Sequence, residues 1–261
     1  MSSSCLLRLD LDLKDSIWRR LRPDGLVLQE DRYLRLGSLP AVDLDPRDGL
    51  DAAYLAIRKK RPLPLGRYLV LRPGLDRPGW VYQAVVHDLG IRPTCRGGDV
   101  RRALVAVVLN AKNRGINFLA CEALGLLGED GLTLTELIEA IDTAVLELCS
   151  ELEGSVRVVF LLENVDDLEE VSNGLRSRIL LRANRSLRNI SGDTALVEFK
   201  HDSARLRFRF VPGSLSGYQV SRIDSSNLGR EVVRFPSAHP SGTIPESRNP
   251  GLVEVTTRPG D

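Results

Sequence analysis

The sequence predicts an α/β protein built on a largely parallel sheet. Three stretches carry that reading. Residues 100–114 place Val100, Ala103, Leu104, Val107, Val108 and Ala111 at helical spacing, and Gly115 follows as a stop. Residues 156–162 (VRVVFLL) form an apolar run of buried-strand length. Between them, residues 116–133 run from an apolar strand through Gly125, Gly128 and Gly131 to a helix start. A strand, a glycine-rich turn and a helix N-terminus in that order is the geometry in which backbone N–H groups meet phosphate.

The remaining elements follow in chain order. Residues 6–13 (LLRLDLDL) alternate apolar and charged side chains, the period of a half-buried strand. Residues 25–28 form a short strand after the turn Arg22-Pro23-Asp24, and residues 31–48 read as loop. Residues 50–60 have helical character and end in basic residues. Residues 68–71 and 80–86 are strands. Helix 100–114 is expected to be capped by Gly98 or Asp99. The next helix opens with Thr133-Leu-Thr-Glu136, a capping box, followed by the apolar stripe Leu134, Leu137, Ile138, Ile141, Val145 and Leu148. A short helix is expected over 166–173. Strand–helix alternation thus runs from about residue 5 to 175.

The rest of the chain differs. Residues 195–211 read as a hairpin turning at His201-Asp202-Ser203, with Leu206, Phe208 and Phe210 opposite Arg205, Arg207 and Arg209. The arginines are expected on a solvated strand face. From residue 236 on, Pro236, Pro240, Pro245 and Pro250 stand among polar residues, which predicts a poorly ordered tail. The expected organisation is an α/β domain over 5–175, a hairpin-containing extension over 176–235 packed on it, and the tail over 236–261.

Composition excludes several classes. The chain is 43% hydrophobic and 27% charged with a net charge of +1, so no polyanion partner and no nucleic acid are expected. No apolar run approaches the roughly 20 residues that cross a bilayer, so no membrane association is expected. The opening residues do not read as an export signal, and Cys5, Cys95, Cys121 and Cys149 form no CxxC pair. Reduced thiols in a cytoplasmic protein are the expectation. The three histidines, His87, His201 and His239, are scattered, and no metal site is expected. His87 reads as a packed core histidine, and Cys121 as a buried thiol lacking a base.

The order of these motifs resembles a macro domain, the fold that binds ADP-ribose and related nucleotides. Lys14-Asp15-Ser16-Ile17 is similar to the family's Gly-Asp-Ile element. Residues 24–31 (DGLVLQED) fall where the family has Asp-Ala-Ile-Val-Asn-Ala-Ala-Asn. Residues 49–53 (GLDAA) resemble the start of its next helix, and residues 66–70 and 81–90 its strand pair ending in Ile-His-Thr-Val-Gly-Pro. Residues 123–132 resemble its second glycine loop, and residues 156–163 with Asp166-Asp167 its last strand and helix.

That resemblance implies a three-layer fold: a mixed, largely parallel sheet flanked by helices, here with a β-rich C-terminal extension. It implies ADP-ribose, or a related adenine nucleotide, as ligand. Asp15, with Ser16 and Ile17, takes the adenine-binding position, and Gly125, Leu126, Leu127, Gly128, Glu129, Asp130 and Gly131 form the phosphate cradle. Asp31 stands where the family's ribose-contacting Asn would be, which makes it the candidate catalytic residue of an ADP-ribosyl hydrolase. No cofactor is implied, and an ADP-ribosylated protein is a further candidate partner.

The chain departs from the pattern at two places. Residues 33–40 (YLRLGSLP) replace the glycine-rich first loop, whose backbone approaches the diphosphate in the family. The second loop gains Glu129 and Asp130 beside the phosphate position. Three functions stay open: a nucleotide-binding module, an ADP-ribosyl hydrolase, and an interaction protein whose degenerate cleft has lost its ligand.

Overall fold

A computed structural model of the protein describes residues 5–14, 22–36, 61–71, 79–183, 190–191, 194–201, 204–210, 218–223 and 253–255. The expected helix over 50–60, the hairpin turn at 202–203 and most of the tail lie outside these residues.

The sheet is mixed, and its centre is parallel. Strands β4 (Trp80–His87), β2 (Gly25–Asp31), β5 (Phe118–Glu122), β6 (Gly154–Leu162) and β1 (Cys5–Leu13) lie side by side in that order, all parallel. β3 (Arg67–Leu71) pairs antiparallel with β4 and is followed outward by the short β11 (Val253–Val255). Part of the proline-rich tail therefore forms a strand. On the other side, β10 (Tyr218–Ile223) adds antiparallel to β1, then come β9 (Ala204–Phe210), β8 (Thr194–His201) and β7 (Ile190–Ser191).

Among the described residues, three helices cover one face: α1 (Gly97–Asn113), α2 (Leu134–Glu151) and α3 (Val165–Ala183). Against them pack Leu7, Val27, Tyr82, Leu119, Val158 and Phe160, with Val100, Leu104, Val107, Leu137, Ile141 and Val145 from the helices. The opposite face carries Leu26, Leu28, Ala120, Val159 and Leu161, as the two-residue period of a strand requires. Alternation thus explains why residues 158–162 (VVFLL) are apolar throughout: both faces of the strand are buried there.

Helix starts distinguish what local sequence encodes. At α2, the Thr133 hydroxyl accepts from Glu136 N at 3.3 Å, and the Glu136 carboxylate accepts from Thr133 N at 2.9 Å, so both halves of the expected box form. At α1 the expectation fails. The helix starts three residues early, its N-cap is Arg96, and no side chain caps it. Asp99 sits in the first turn, buried, and pairs with Arg102 instead. α3 is also longer than expected. Leu168, Val171, Leu175 and Ile179 make one buried stripe, so residue 175 falls inside a helix and not at its end.

The hairpin strands join the same body. Leu206 and Phe208 of β9 and Val220 of β10 belong to the core beneath the helices, with Phe208 only 1% exposed. Arg207, on the alternate face, is half-buried.

Candidate functional site at the carboxyl ends of the parallel strands

In open parallel sheets, ligands sit beyond the strands' carboxyl ends, where loops diverge. Here that edge gathers a dense polar set: Lys14 after β1, Gln29, Glu30 and Asp31 closing β2, His87 closing β4, and Glu122 closing β5. Strand geometry fixes their backbones, and hydrogen bonds and ion pairs fix their side chains.

Gln29 is the hub. Its Oε1 accepts from Gly125 N at 3.0 Å and faces His87 Nε2 at 2.9 Å, while its Nε2 donates to the Leu126 carbonyl at 3.0 Å. Both ends of this amide are therefore spent on holding the glycine loop and the His87 ring. Gly125 N requires the oxygen on that side, so the His87 ring donates from Nε2. Thr94 grips the loop from its other end, donating to the Asp130 carbonyl through N at 2.9 Å and Oγ1 at 2.8 Å.

Within the loop, Leu126 N donates to Ala123 O, and Leu132 N to Gly125 O at 2.8 Å. Leu127 and Glu129 bridge across the turn. Gly125 and Gly128 take φ of +92° and +53°, the left-handed region that favours glycine. Apart from the Leu127–Glu129 bridge, no hydrogen bond engages the N–H groups of Leu127 and Gly128 among the described residues, and Gly128 is exposed. These donors are what a phosphate cradle needs. Of the two acidic insertions, Asp130 turns to Arg92 Nε at 3.2 Å, and Glu129 is exposed.

Asp31 is placed differently from a solvated loop carboxylate: it is 0% exposed. Its Oδ1 accepts from Tyr33 N at 2.7 Å and Arg35 N at 3.0 Å, and its Oδ2 pairs with Arg35 Nε at 2.7 Å. Glu30, also buried, accepts from Asp31 N at 3.0 Å and Leu36 N at 3.2 Å. Two consecutive carboxylates thus build the 31–36 turn. With its oxygens holding two turn N–H groups and the Arg35 guanidinium, Asp31 is a turn organiser in this geometry.

The same turn explains the first bulky loop residues. Leu34 adopts φ of +58°, a conformation that costs an L-residue about 1–2 kcal/mol. Burial against Leu63, Leu69 and Val85 offsets this, since a fully buried leucine contributes roughly 1.5–3 kcal/mol. Leu34 therefore points into the core and not over the glycine loop. Tyr33 is 38% exposed, with the Arg35 guanidinium 4.9 Å from its ring centre. Residues 37–60 lie outside the described residues, as do Asp15, Ser16 and Ile17.

Glu122 is buried and accepts from Gln29 N at 3.0 Å, with Lys14 Nζ 3.3 Å away. Burial pushes its carboxyl up, opposed by the Gln29 N–H and by Lys14. For Lys14, burial acts downward, but Glu163 at 2.8 Å and Glu122 outweigh it and raise the ammonium's pKa. Cys121 is fully buried with its thiol pushed up by burial, so it offers no thiolate.

His87 is a packed histidine, 0% exposed, held neutral because burial lowers its pKa to about 4 against a weaker upward pull from Asp31. A depressed folded pKa means the unfolded chain binds the proton first. Stability should therefore fall as the pH drops from 6.5 towards 4, and level off below. The full swing is about 3 kcal/mol. Urea unfolding between pH 7 and 4 should show this slope, reduced in His87→Asn. An unchanged slope in that variant would assign the acid sensitivity to other groups.

Gln29, Glu30, Glu122, Lys14 and Thr94 did not stand out in the sequence. The available signal was position: polar residues closing strands that are otherwise apolar, at the edge where a parallel sheet places its ligand.

Comparison with solved structures gives the class. A point mutant of the Oceanobacillus iheyensis macrodomain superposes with a TM-score of 0.52 at 13% identity, over 69% of this chain and 96% of that one. The same macrodomain with ADP gives 0.51 at 15% identity, over 69% of this chain and 100% of that one. No protein-family model and no curated protein matches the chain. The fold is that of a macro domain, in a strongly divergent form. No described helix is long and apolar enough to cross a membrane.

Proposed function

We propose that the protein is a binding module for ADP-ribose or a related adenine nucleotide, held beyond the carboxyl ends of β2 and β5. The observation that carries this is the loop over 125–131: a glycine-rich backbone fixed at both ends by Gln29 and Thr94, with the Leu127 and Gly128 N–H groups at its turn. Rigid backbone donors favour an anion, because ordering them costs nothing further at the moment of binding. The similar Oceanobacillus iheyensis macrodomain was solved with ADP, which carries the same diphosphate chemistry. On this reading Asp15 accepts the adenine amino group, flanked by Ser16 and Ile17, and Gly125 to Gly131 surround the diphosphate.

Hydrolysis is not proposed, because the Asp31 carboxylate is engaged in the turn it organises. Calorimetric titration of the full chain with ADP-ribose should give saturable heat. Asp15→Ala should weaken binding about tenfold, the loss of roughly 1.4 kcal/mol expected for a hydrogen bond to a charged acceptor. No heat with ADP-ribose, ADP or AMP at millimolar ligand would reject the reading.

A further inference from the structure

The chain's net charge of +1 hides an asymmetry between the two faces of the sheet. Alternation sends Leu206, Phe208 and Val220 to the helix side, so β9 presents Arg205, Arg207 and Arg209 on the other. Their register partners on that face are Lys200, Glu198 and Leu196 of β8. β10 contributes Gln219 and Ser221, which lead to Arg8 of β1, and Arg8 lies opposite Arg157 of β6. One basic face therefore runs across β8, β9, β10, β1 and β6. The side chains of Arg8 and Arg157 are 22% and 27% exposed, and Arg207 is half-buried, so this face reaches solvent.

The charges on this face do not balance. On β1 and β6 one carboxylate serves two guanidiniums: Asp10 Oδ2 pairs with Arg8 Nε at 3.0 Å and with Arg157 Nε at 2.6 Å. Asp12, further along β1, accepts from Leu13 N at 2.8 Å. On β8 and β9 the register sets a single carboxylate, Glu198, opposite Arg207, while Arg209 stands opposite Leu196 and Lys200 opposite Arg205. Like charges directly opposite each other destabilise a sheet. That pairing opposes folding, and an anion bound on the face relieves it. Successive arginines of β9 are two residues apart, about 6.8 Å along a strand, comparable to the separation of successive phosphates along a nucleic-acid strand. Arginine supplies most of the charge, and its planar fork matches phosphate oxygens two at a time.

We propose that this sheet face binds a nucleic-acid strand through its phosphate backbone, with Arg205, Arg207 and Arg209 as the main contact and Arg8 and Arg157 extending it across β1 and β6. The neighbouring ring of Phe118 carries the Arg157 guanidinium 4.7 Å from its centre, so it offers no bare platform for a base. Recognition is of charge and spacing, not of base sequence. The face is separate from the glycine loop, which lies beyond the carboxyl ends of the strands, so the two sites are occupied independently.

The test is fluorescence anisotropy of the full chain with a labelled single-stranded oligothymidylate across a salt series. The logarithm of affinity should fall linearly with the logarithm of salt concentration. Combining Arg205→Gln, Arg207→Gln and Arg209→Gln should weaken binding more than about tenfold and flatten that slope by about 2, at roughly 0.7 for each phosphate no longer neutralised. Lys200→Glu should weaken binding while raising the urea midpoint, because it replaces a repulsion with Arg205 by an attraction. That combination separates lost binding from lost folding. Oligodeoxyadenylate should bind within about threefold of oligothymidylate, since phosphate contacts carry no sequence information. Arg101→Gln removes a cation from α1, where Arg101 pairs with Glu147 at 2.6 Å on the helix side of the sheet, and should change binding less than about twofold. ADP-ribose binding should be the same in every variant, so failure here is distinguishable from failure at the glycine loop. Absence of salt-dependent binding, a triple variant that binds as the parent does, or an equal loss in Arg101→Gln overturns the proposal. Equal binding of polyglutamate of the same charge overturns the assignment to nucleic acid.

Discussion

Phe208→Ala should cost about 3–5 kcal/mol of folding stability, the range for truncating a buried phenylalanine. Phe208 is 1% exposed, and it lies in the core shared by the sheet and its helices although it comes from the hairpin. Through Val220 of β10, its register partner, the hairpin is laddered onto β1, where Leu7 pairs with Val220. We therefore propose that the segment after α3 is a structural part of the domain, and that removing it leaves β1 as an apolar edge strand. Urea unfolding measures the effect. A cost under about 1 kcal/mol, with unchanged cooperativity, would mean that the hairpin contributes little to the fold.

Gly131→Ala should abolish the ligand loop while leaving the protein folded. A Cβ at Gly131 would stand 2.5 Å from the Gly125 carbonyl oxygen and closer still to Leu127 N, both backbone atoms that no rotamer change can move aside. The loop must open, and the Leu127 and Gly128 amides lose their convergence. ADP-ribose affinity should fall by more than about tenfold, with roughly 1–3 kcal/mol of stability lost to overpacking. Gly128→Ala is the control. Its Cβ meets nothing within 4 Å, and only the φ of +53° opposes it, at about 1–2 kcal/mol, so the loop path survives. Equal losses of affinity in the two variants would mean that loop shape does not govern binding.

These two residues also mark how far the sequence was legible. Periodicity revealed the parallel core, because burial on one or both strand faces writes itself directly into residue order. The Thr133–Glu136 box was readable for the same reason, since every group it needs lies within four residues. The N-terminus of α1 was not. Its start is set by tertiary placement of Arg96 and by Asp99 turning to Arg102, and local preference for Gly98 or Asp99 as the cap lost to that pairing. Alternation in 205–210 separated the faces of β9, but β1, onto which β10 joins the hairpin, lies about two hundred residues earlier in the chain.

The candidate site was half legible. Glycines at 125, 128 and 131 announce a loop, yet nothing in their spacing says that Gln29 holds it. That contact joins residues 96 apart. Asp31 was legible only in part. Its position relative to a family motif suggested chemistry, and nothing in the sequence said that Tyr33 and Arg35, two and four residues on, would bind its carboxylate. Leu34 looked like an obstruction to the diphosphate, because bulky residues replace glycines there. Burial against Leu63, Leu69 and Val85 takes it to the other side of the turn.

The central claim is that the 125–131 loop receives a diphosphate on its backbone amides. The direct measurement is an amide-resolved titration of the full chain with ADP-ribose. The account predicts saturable shifts at Leu127 and Gly128, smaller ones at Gln29 and Thr94, and little change at the α1 amides. Saturable binding whose shifts leave Leu127 and Gly128 unmoved, or no saturation at millimolar ADP-ribose, would contradict it.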